Sequence, residues 1–277
     1  MITKCIFPVA GFGTRFLPIT KAVPKELLPI YDRPLIQFSI EEAFECDIRD
    51  MTFIVNDYKS AIKDYLKPHP YLEDLIKGTA KENKLIGINN IINSCTLNFV
   101  NQSEMKGLGH AILKGFETSK NSNFAVLLPD DLCYNPNASV LEQLLRLHKR
   151  YPEHCVVAVE EVPEKNISKY GVISGKFIDV EEKTLIVEDM VEKPSPEEAP
   201  SNLAIIGRYI LNSSIFEKLK QTKPDTNGEI QITEALSKMA KEGKVLAYKF
   251  DGVRLDCGSV ESYLEAVKFY EEKFKQL

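Results

Sequence analysis

The sequence predicts an α/β fold with a mostly parallel, mixed sheet flanked by helices. Short apolar runs alternate with segments of helical periodicity through the first half of the chain, a pattern typical of parallel strands joined by right-handed crossovers. The second half consists of short β-rich pieces separated by turn residues. The chain has 277 residues and lacks a long low-complexity linker, so we predict a single domain, residues 1–277, with an appended mixed-sheet region.

The first half is predicted to alternate strands with helices. Strand-like apolar runs cover residues 5–9, 51–55, 96–100 and 124–128, and helical patterns cover residues 35–44, 59–66, 71–84, 110–118 and 140–149. Pro34 supports a helix start at residue 35, because the first helical turn tolerates a residue without an N–H group.

The second half is predicted to be richer in strands. Strand-like pieces cover residues 155–160, 171–174, 185–191 and 203–211, and helices follow at 215–220, 230–241 and 260–273. The segments 193–201 and 222–228 are rich in loop-forming residues, so we predict breaks there.

The composition argues against several classes of protein. A net charge of −5 opposes a general electrostatic grip on nucleic acid or on a membrane surface. Apolar runs stay well below the roughly 20 residues that span a bilayer, and the N-terminus lacks the pattern of a secretion signal. The six cysteines are scattered without a C-x-x-C pair, which favours reduced thiols over disulfides or a zinc site. We therefore expect a soluble, cytoplasmic protein.

The stretch A-G-F-G-T-R-F-L-P-I-T-K-A-V-P-K-E-L-L-P, residues 10–29, follows the first predicted strand. Gly11 and Gly13 would let backbone N–H groups approach phosphate oxygens, and Arg15, Lys21 and Lys25 add positive charge. The spacing is neither that of a dinucleotide-binding fingerprint nor that of a P-loop. An anion site is the functional interpretation, and a glycine turn with solvated lysines is the alternative.

Two acidic or charged pairs also follow predicted strands. Asp130 and Asp131 come after the run 124–128, and carboxylates placed beside a phosphate loop suit Mg²⁺, although a turn or helix cap would use the same residues. Glu192 and Lys193 could bind sugar hydroxyls and a phosphate, but adjacent charges of this kind are usually solvated.

Taken together, these motifs resemble a known family. The glycine-loop stretch resembles the signature of sugar-nucleotide pyrophosphorylases, specifically the bacterial UTP–glucose-1-phosphate uridylyltransferases. Further matches in family order are Y-D-R-P (31–34), G-L-G-H-A (107–111), L-P-D-D (128–131), V-E-K-P (191–194), G-E-I-Q (228–231) and D-C-G (256–258). The resemblance implies a Rossmann-like nucleotidyltransferase fold, Mg²⁺ dependence, and conversion of UTP and glucose 1-phosphate to UDP-glucose and pyrophosphate.

The resemblance also assigns roles to particular residues. Residues 1–135 would mainly bind the nucleotide, and residues 136–277 would bind the sugar phosphate and form a homo-oligomer, a dimer or tetramer. The implied catalytic residues are Arg15, Lys25, Asp130 and Lys193; the nucleotide-binding residues are Ala10, Gly11, Gly13, Glu26, Gln102, Gly107 and Asp131; the sugar-phosphate-binding residues are Gly171, Glu192 and Lys193; and the metal ligands are Asp130 and Asp256. His110 is predicted to be structural rather than catalytic.

The expected chemistry is in-line attack by the sugar phosphate on the α-phosphorus of UTP. The nucleophile is already an anion, so we predict neither a serine or cysteine nucleophile, including Cys257, nor a covalent intermediate. Three alternatives remain at this stage. They are a thymidylyltransferase or other pyrophosphorylase, a non-catalytic nucleotide-sugar-binding regulator, and an NAD-dependent dehydrogenase, whose glycine fingerprint is missing.

Overall fold

The computed structural model describes residues 1–179 and 183–275. The strands in these ranges are β1 (Lys4–Pro8), β2 (Pro29–Ile30), β3 (Arg33–Pro34), β4 (Asp50–Val55), β5 (Thr96–Asn101), β6 (Phe124–Leu127), β7 (Asp131–Tyr134), β8 (Cys155–Glu161), β9 (Gly171–Asp179), β10 (Thr184–Glu192), β11 (Leu203–Leu211), β12 (Val245–Lys249) and β13 (Val253–Asp256).

The α-helices in the same ranges are α1 (Leu35–Glu45), α2 (Ser60–Tyr65), α3 (Pro70–Ile76), α4 (Asn83–Ser94), α5 (Gly107–Lys114), α6 (Phe116–Ser119), α7 (Val140–Arg150), α8 (Ile215–Lys220), α9 (Ile232–Ala240) and α10 (Val260–Lys275). Short 3-10 helices occupy Thr14–Phe16, Ile19–Lys21, Lys25–Leu27 and Glu164–Lys169. In this described part of the chain, no helix combines the length and apolar character needed to cross a membrane.

One mixed sheet runs through both halves of the chain in the order β5-β4-β1-β6-β11-β8-β12-β10-β9. Strands β5, β4, β1 and β6 are mutually parallel, as the alternation of strands and helices predicts. Beyond β6 antiparallel pairs predominate, because β11 runs against both β6 and β8. Strand β9 pairs with β10 and also contacts β11, so this half of the sheet curls back on itself.

Apolar clusters cover the two faces of the sheet. Along β6, Phe124 and Val126 belong to one cluster while Ala125 and Leu127 belong to the other, because successive side chains of a strand point to opposite faces. Helices α5, α8 and α9 supply the first cluster, and α1, α4 and α7 supply the second. Burial on both faces explains why the central strands are continuous apolar runs rather than alternating ones.

Several predicted elements differ from the structure. The helix predicted over residues 71–84 is wrong, because α3 ends at Ile76 and the chain turns at Gly78, whose φ is +73°. Helix α4 then starts at Asn83 and buries Ile88 and Ile91. The sequence pattern does not predict strands β2, β3, β7, β12 and β13.

A buried arginine on β11 fixes the turn that follows β6. Arg208 is only 1% exposed, and its Nε donates to Glu42 Oε2 at 2.9 Å. The same guanidinium donates to the carbonyls of Leu128 at 3.1 Å and Gly207 at 2.9 Å. Glu42 also accepts a hydrogen bond from the backbone of Leu141. The pair therefore joins α1, β11, α7 and the turn at residue 128.

Replacing Arg208 by methionine should lower the free energy of unfolding by about 3–5 kcal/mol, because it leaves the Glu42 carboxylate buried without its counter-charge. Urea unfolding measures the change. The matched control is Arg146→Met, which breaks an exposed pair between Arg146 and Glu142 and should cost well under about 1 kcal/mol. Equal losses in the two variants would contradict the structural role of Arg208.

Candidate functional site

Two adjoining cavities lie where the parallel strands end. After β1 the chain continues into the glycine loop, after β5 it reaches Gln102, and after β6 it reaches Asp130. Since the carboxyl ends of parallel strands meet at one edge of the sheet, these segments converge there. The glycine-loop cavity has a volume of about 260 Å³ and the β9–β10 cavity about 760 Å³. Leu108, Leu128 and Asp130 line both, so the two cavities share one wall.

The glycine-loop cavity gathers most of the residues predicted to bind a nucleotide. Its lining includes Ala10, Gly11, Lys25, Glu26, Gln102, Gly107 and Asp130. Gly13 lies in the adjacent turn with φ +65°, and a Cβ there would come within 3.2 Å of the side chains of Lys25 and Thr20. The structure thus gives Gly13 the task of shaping the turn, next to the cavity.

A segment from the second half of the chain closes this cavity. The N–H of Ile230 donates to Lys106 O, and the N–H of Gly109 donates to Ile230 O, both at 2.8 Å. Gly107 has φ +84°, and a Cβ there would lie 2.9 Å from Glu229 Cβ and from Ile230 O. Glycine is therefore required at 107 both by conformation and by space.

Two ion pairs stand at the wall of the glycine-loop cavity. Lys25 Nζ lies 2.5 Å from Asp130 Oδ2. Burial alone would raise the pKa of Asp130, but the Lys25 ammonium outweighs it and holds that pKa below its usual range. Lys59 Nζ contacts both oxygens of Glu26, at 2.8 and 2.7 Å. Burial raises the pKa of Glu26 and lowers that of Lys59, and thus disfavours the charged form of both. The attraction between the two opposite charges counteracts this effect.

The two predicted metal ligands are brought together by pairing between distant segments. Strand β13 pairs with β7 so that Asp256 lies opposite Asp131, and Cys257 N donates to Asp130 O at 2.7 Å. Asp256 Oδ2 has loose neighbours, Tyr170 OH at 3.4 Å and Arg254 Nη2 at 3.9 Å. Among the described residues, no group of three or more His, Cys, Asp or Glu side chains could hold a metal ion.

Asp131 supports the site from behind. Its Oδ2 accepts from Gly207 N at 2.8 Å, and its Oδ1 accepts from Arg254 Nε at 2.6 Å. Arg254 also pairs with Glu160 at 2.8 Å and lies over the ring of Tyr170. Asp131 is among the residues that line the β9–β10 cavity rather than the glycine-loop cavity, and its predicted contact with a nucleotide stays a prediction.

The β9–β10 cavity contains the predicted sugar-phosphate residues. Gly171 and Glu192 are opposite each other in the β9–β10 ladder, and Thr233 Oγ1 donates to Glu192 Oε2 at 2.6 Å. A Cβ at Gly171 would lie 3.0 Å from that hydroxyl and 3.2 Å from Glu192 Oε2. The Lys193 ammonium lies 3.4 Å from Glu192 Oε1 and its side chain is 53% exposed. A carboxylate, a hydroxyl and an ammonium therefore converge on one cavity.

The three cationic side chains of the glycine loop lie at three different cavities. Lys25 reaches the shared wall, as described above. Arg15 lines the β9–β10 cavity, where its Nη1 lies 3.4 Å from Gly258 O. Lys21 is exposed and lines a different, mainly apolar groove together with Phe12 and Tyr58. The structure therefore assigns Lys21 to another surface than the shared site.

Sequence reasoning missed several residues that organise the site: Lys59, Arg208, Thr233 and Arg254. Two of them could have been noticed in the sequence. Arg208 and Arg254 are charged residues within apolar runs, L-A-I-I-G-R-Y-I-L and V-R-L, which form β11 and part of β13. A charged residue in such a run must find an internal partner. The partners themselves, Glu42 and Asp131, are too distant in sequence to be read from the pattern.

The chain is similar to proteins of known activity over nearly its whole length. The family model described as nucleotidyl transferase matches residues 5–273. A UTP–glucose-1-phosphate uridylyltransferase from Pseudomonas aeruginosa strain PAO1 is 51% identical, covering 99% of this chain and 98% of its own length.

Solved structures agree with the fold. A crystal structure of UDP-glucose pyrophosphorylase complexed with UDP-glucose matches with a TM-score of 0.91 and 50% identity, covering 99% of this chain and 100% of that one. A UTP-bound UDP-glucose pyrophosphorylase from Acinetobacter baumannii matches with a TM-score of 0.89 and 33% identity, covering 100% and 98%. The Rossmann-like architecture predicted from the sequence is confirmed, and the chain belongs to the nucleotidyl transferase family.

Proposed function

We propose that this nucleotidyl transferase joins UTP and glucose 1-phosphate to give UDP-glucose and pyrophosphate. The observation that carries the proposal is the shared wall at Asp130. On one side of it lie an amide and exposed backbone suited to a nucleoside, and on the other a carboxylate and an ammonium suited to a sugar phosphate. Relatives described as acting on UTP and glucose 1-phosphate support the same assignment.

On the nucleotide side, the base would lie against Gln102. The carboxamide oxygen can accept a hydrogen bond from the N3–H of uracil. Ala10, Gly11 and Gly107 would bring backbone groups close to the base and ribose, and Glu26 lies deeper in the same cavity.

On the sugar side, Glu192 would accept hydrogen bonds from glucose hydroxyls. The Thr233 hydroxyl holds the carboxylate in place, and Gly171 keeps the space in front of it open. The exposed Lys193 ammonium would then meet the phosphate of the sugar.

Asp130 and Asp256 fit a magnesium ion. They are hard oxygen donors on neighbouring strand ends, and Mg²⁺ commonly takes one or two carboxylates together with substrate phosphates and water. When bound, the ion would neutralise charge that develops on the phosphates. Asp256 Oδ1 accepts from Gly258 N at 2.7 Å, so Oδ2, whose neighbours stand at 3.4 Å or more, would be the oxygen offered to the ion.

The residues of the chain would act by positioning and by charge. An oxygen of glucose 1-phosphate attacks the α-phosphorus of UTP in line, and pyrophosphate leaves. Arg15 and Lys25 would stabilise the triphosphate, and Lys193 would orient the attacking phosphate. Cys257 is buried and its thiol pKa is raised well above its usual value by that burial, so a thiolate nucleophile is disfavoured.

The alternatives are weaker. A non-catalytic regulator would be expected to lack part of this set, whereas Arg15, Lys25, Asp130, Lys193 and Asp256 all line the cavities. A thymidylyltransferase differs by one methyl group of the base, which changes discrimination by only about 1–3 kcal/mol, so nucleotide choice needs a measurement.

We also propose a cytoplasmic location and a homo-oligomer, a dimer or tetramer. The free cysteines suit a reducing compartment. In the half of the chain predicted to form the oligomer, α10 exposes Val260 and Leu264, apolar side chains of the kind found in subunit contacts.

The deciding experiment measures pyrophosphate release from UTP in magnesium, with and without glucose 1-phosphate. Release that requires both substrates, with UTP preferred over dTTP, CTP and ATP, supports the proposal. Preference for dTTP would move the protein to the thymidylyl branch, and no release with any nucleotide would refute the enzymatic assignment.

Asp130→Asn should lower kcat at least about 100-fold at every magnesium concentration, because the amide is a poor metal ligand and frees Lys25 from its partner. Steady-state kinetics measure the loss, and a thermal melt checks the fold. Asp251→Asn is the control, since Asp251 pairs with Lys183 on the surface. Near-normal turnover of the Asp130 variant would rule out its proposed role.

Lys193→Ala should raise KM for glucose 1-phosphate about tenfold or more and leave KM for UTP within about twofold, because a charge-assisted bond to phosphate is lost on the sugar side alone. The control is Lys176→Ala, another exposed lysine paired with a glutamate. An unchanged rate at low glucose 1-phosphate would argue against the assignment.

A further inference from the structure

The side chain of Gln102 is held by two neighbours behind the glycine-loop cavity. Gln102 is 3% exposed and lines the cavity. Its Nε2 lies 3.4 Å from Gly107 O and 2.9 Å from Nδ1 of His110. His110 lies behind Gln102 on α5, and the proposed function gives this residue no role.

The neighbours decide which end of the amide faces the cavity. A carbonyl oxygen can only accept, so the NH₂ end of Gln102 must point to Gly107 O. That carbonyl is itself fixed, because the segment 228–231 packs against Gly107. The second N–H of the amide then points to His110 Nδ1, which must carry a lone pair to accept it. With both N–H groups engaged, Oε1 is left as the group presented to a ligand.

The surroundings of His110 keep its ring neutral. Burial, followed by the positive charges of Lys114 and Lys106, lowers the pKa of His110, while Glu104 opposes the shift. On the far side of Gln102 the charged groups that line the cavity are Lys25, Glu26, Asp130 and Glu229. A neutral ring with its proton on Nε2 is the form that accepts from Gln102.

We propose that His110 is a positioning residue for base selection: by accepting a hydrogen bond from Gln102 it fixes the amide so that Oε1 faces the base and selects uracil over cytosine. This inference rests on the proposed function and extends it to a residue that touches no substrate.

The selection follows from the hydrogen-bonding edges of the two bases. Uracil carries an N3–H that Oε1 can accept, whereas N3 of cytosine carries a lone pair that would oppose it. A site built to make a hydrogen bond rejects the base that cannot complete it, because buried polar groups are then left unpaired. If the amide could turn over, its NH₂ end would donate to the N3 lone pair of cytosine and would oppose the N3–H of uracil.

The first test compares catalytic efficiency with UTP and with CTP in three variants. His110→Leu removes the closer of the two acceptors and should lower the UTP-to-CTP ratio about tenfold or more, since only the long 3.4 Å contact with Gly107 O then opposes rotation of the amide. His110→Asn offers an amide oxygen near the position of Nδ1 and should keep the ratio within about threefold. His154→Leu is the control, a histidine away from the site whose Nδ1 has no hydrogen-bond partner.

The second test uses pH and the binding of UDP-glucose, measured by calorimetry from pH 5 to 8. UDP-glucose is chosen because its diphosphate does not titrate in this range. The wild-type affinity should fall as the pH drops through the lowered pKa of His110, below 6.5, since the imidazolium can no longer accept from Gln102. In His110→Asn this dependence should be absent.

The outcomes separate the two proposals. A wild-type protein that fails to use UTP refutes the proposed function. A wild-type protein that uses UTP, with an unchanged UTP-to-CTP ratio in a folded His110→Leu, overturns the role of His110. If His110→Leu does not fold, the pH comparison decides, and a fall in affinity that persists in His110→Asn assigns the titration to another group and overturns the proposal.

Discussion

The pairing of β7 with β13 is the constraint on which the site depends. It joins two short strands far apart in the chain and sets Asp256 opposite Asp131. One further hydrogen bond, from Cys257 N to Asp130 O, places the ends of both strands at the shared wall of the cavities. Without this ladder the carboxylates would belong to separate parts of the surface, and Arg254 would lose its place between them.

Buried arginines stabilise this arrangement from beneath. Arg208 donates a hydrogen bond to the backbone carbonyl of Leu128 and so holds that turn. Arg254 forms ion pairs with Asp131 and Glu160. A buried charge that lacks its partner is costly, so these ion pairs restrict the backbone on either side of Asp130 to one arrangement. The backbone around Leu128 and Asp130, which line both cavities, is therefore held rigidly from below.

Much of the fold could be predicted because the pattern of apolar residues is local. The strands ending before the glycine loop, Gln102 and Asp130 are continuous apolar runs, since both faces of the sheet are covered. Strands β7 and β13 escaped prediction because they are four residues each and derive their stability from each other. The false helix over 71–84 had acceptable periodicity but contained Gly78, whose left-handed conformation ends it.

The sequence predicts which residues follow the strands at the site, but it does not predict the residues that support them. Motifs placed the glycine loop, Asp130 and Glu192 correctly at strand ends, because those positions follow from chain order. The support given by Thr233, Lys59 and Arg254 was not predictable, because each contact joins residues more than 30 positions apart. Asp256 was joined to Asp130 through family resemblance alone, and the β7–β13 ladder supplies the physical reason.

The ion pairs that line the cavities affect how charged molecules approach the site. Lys25 and Lys193 have carboxylate partners, and a paired cation attracts a distant anion less than an unpaired one does. Under the proposed function, an incoming phosphate would exchange places with a carboxylate. On the sugar side, Lys193 would release the Glu192 oxygen that a hydroxyl needs when it turns to the phosphate, so one end of the ligand would prepare the contact for the other.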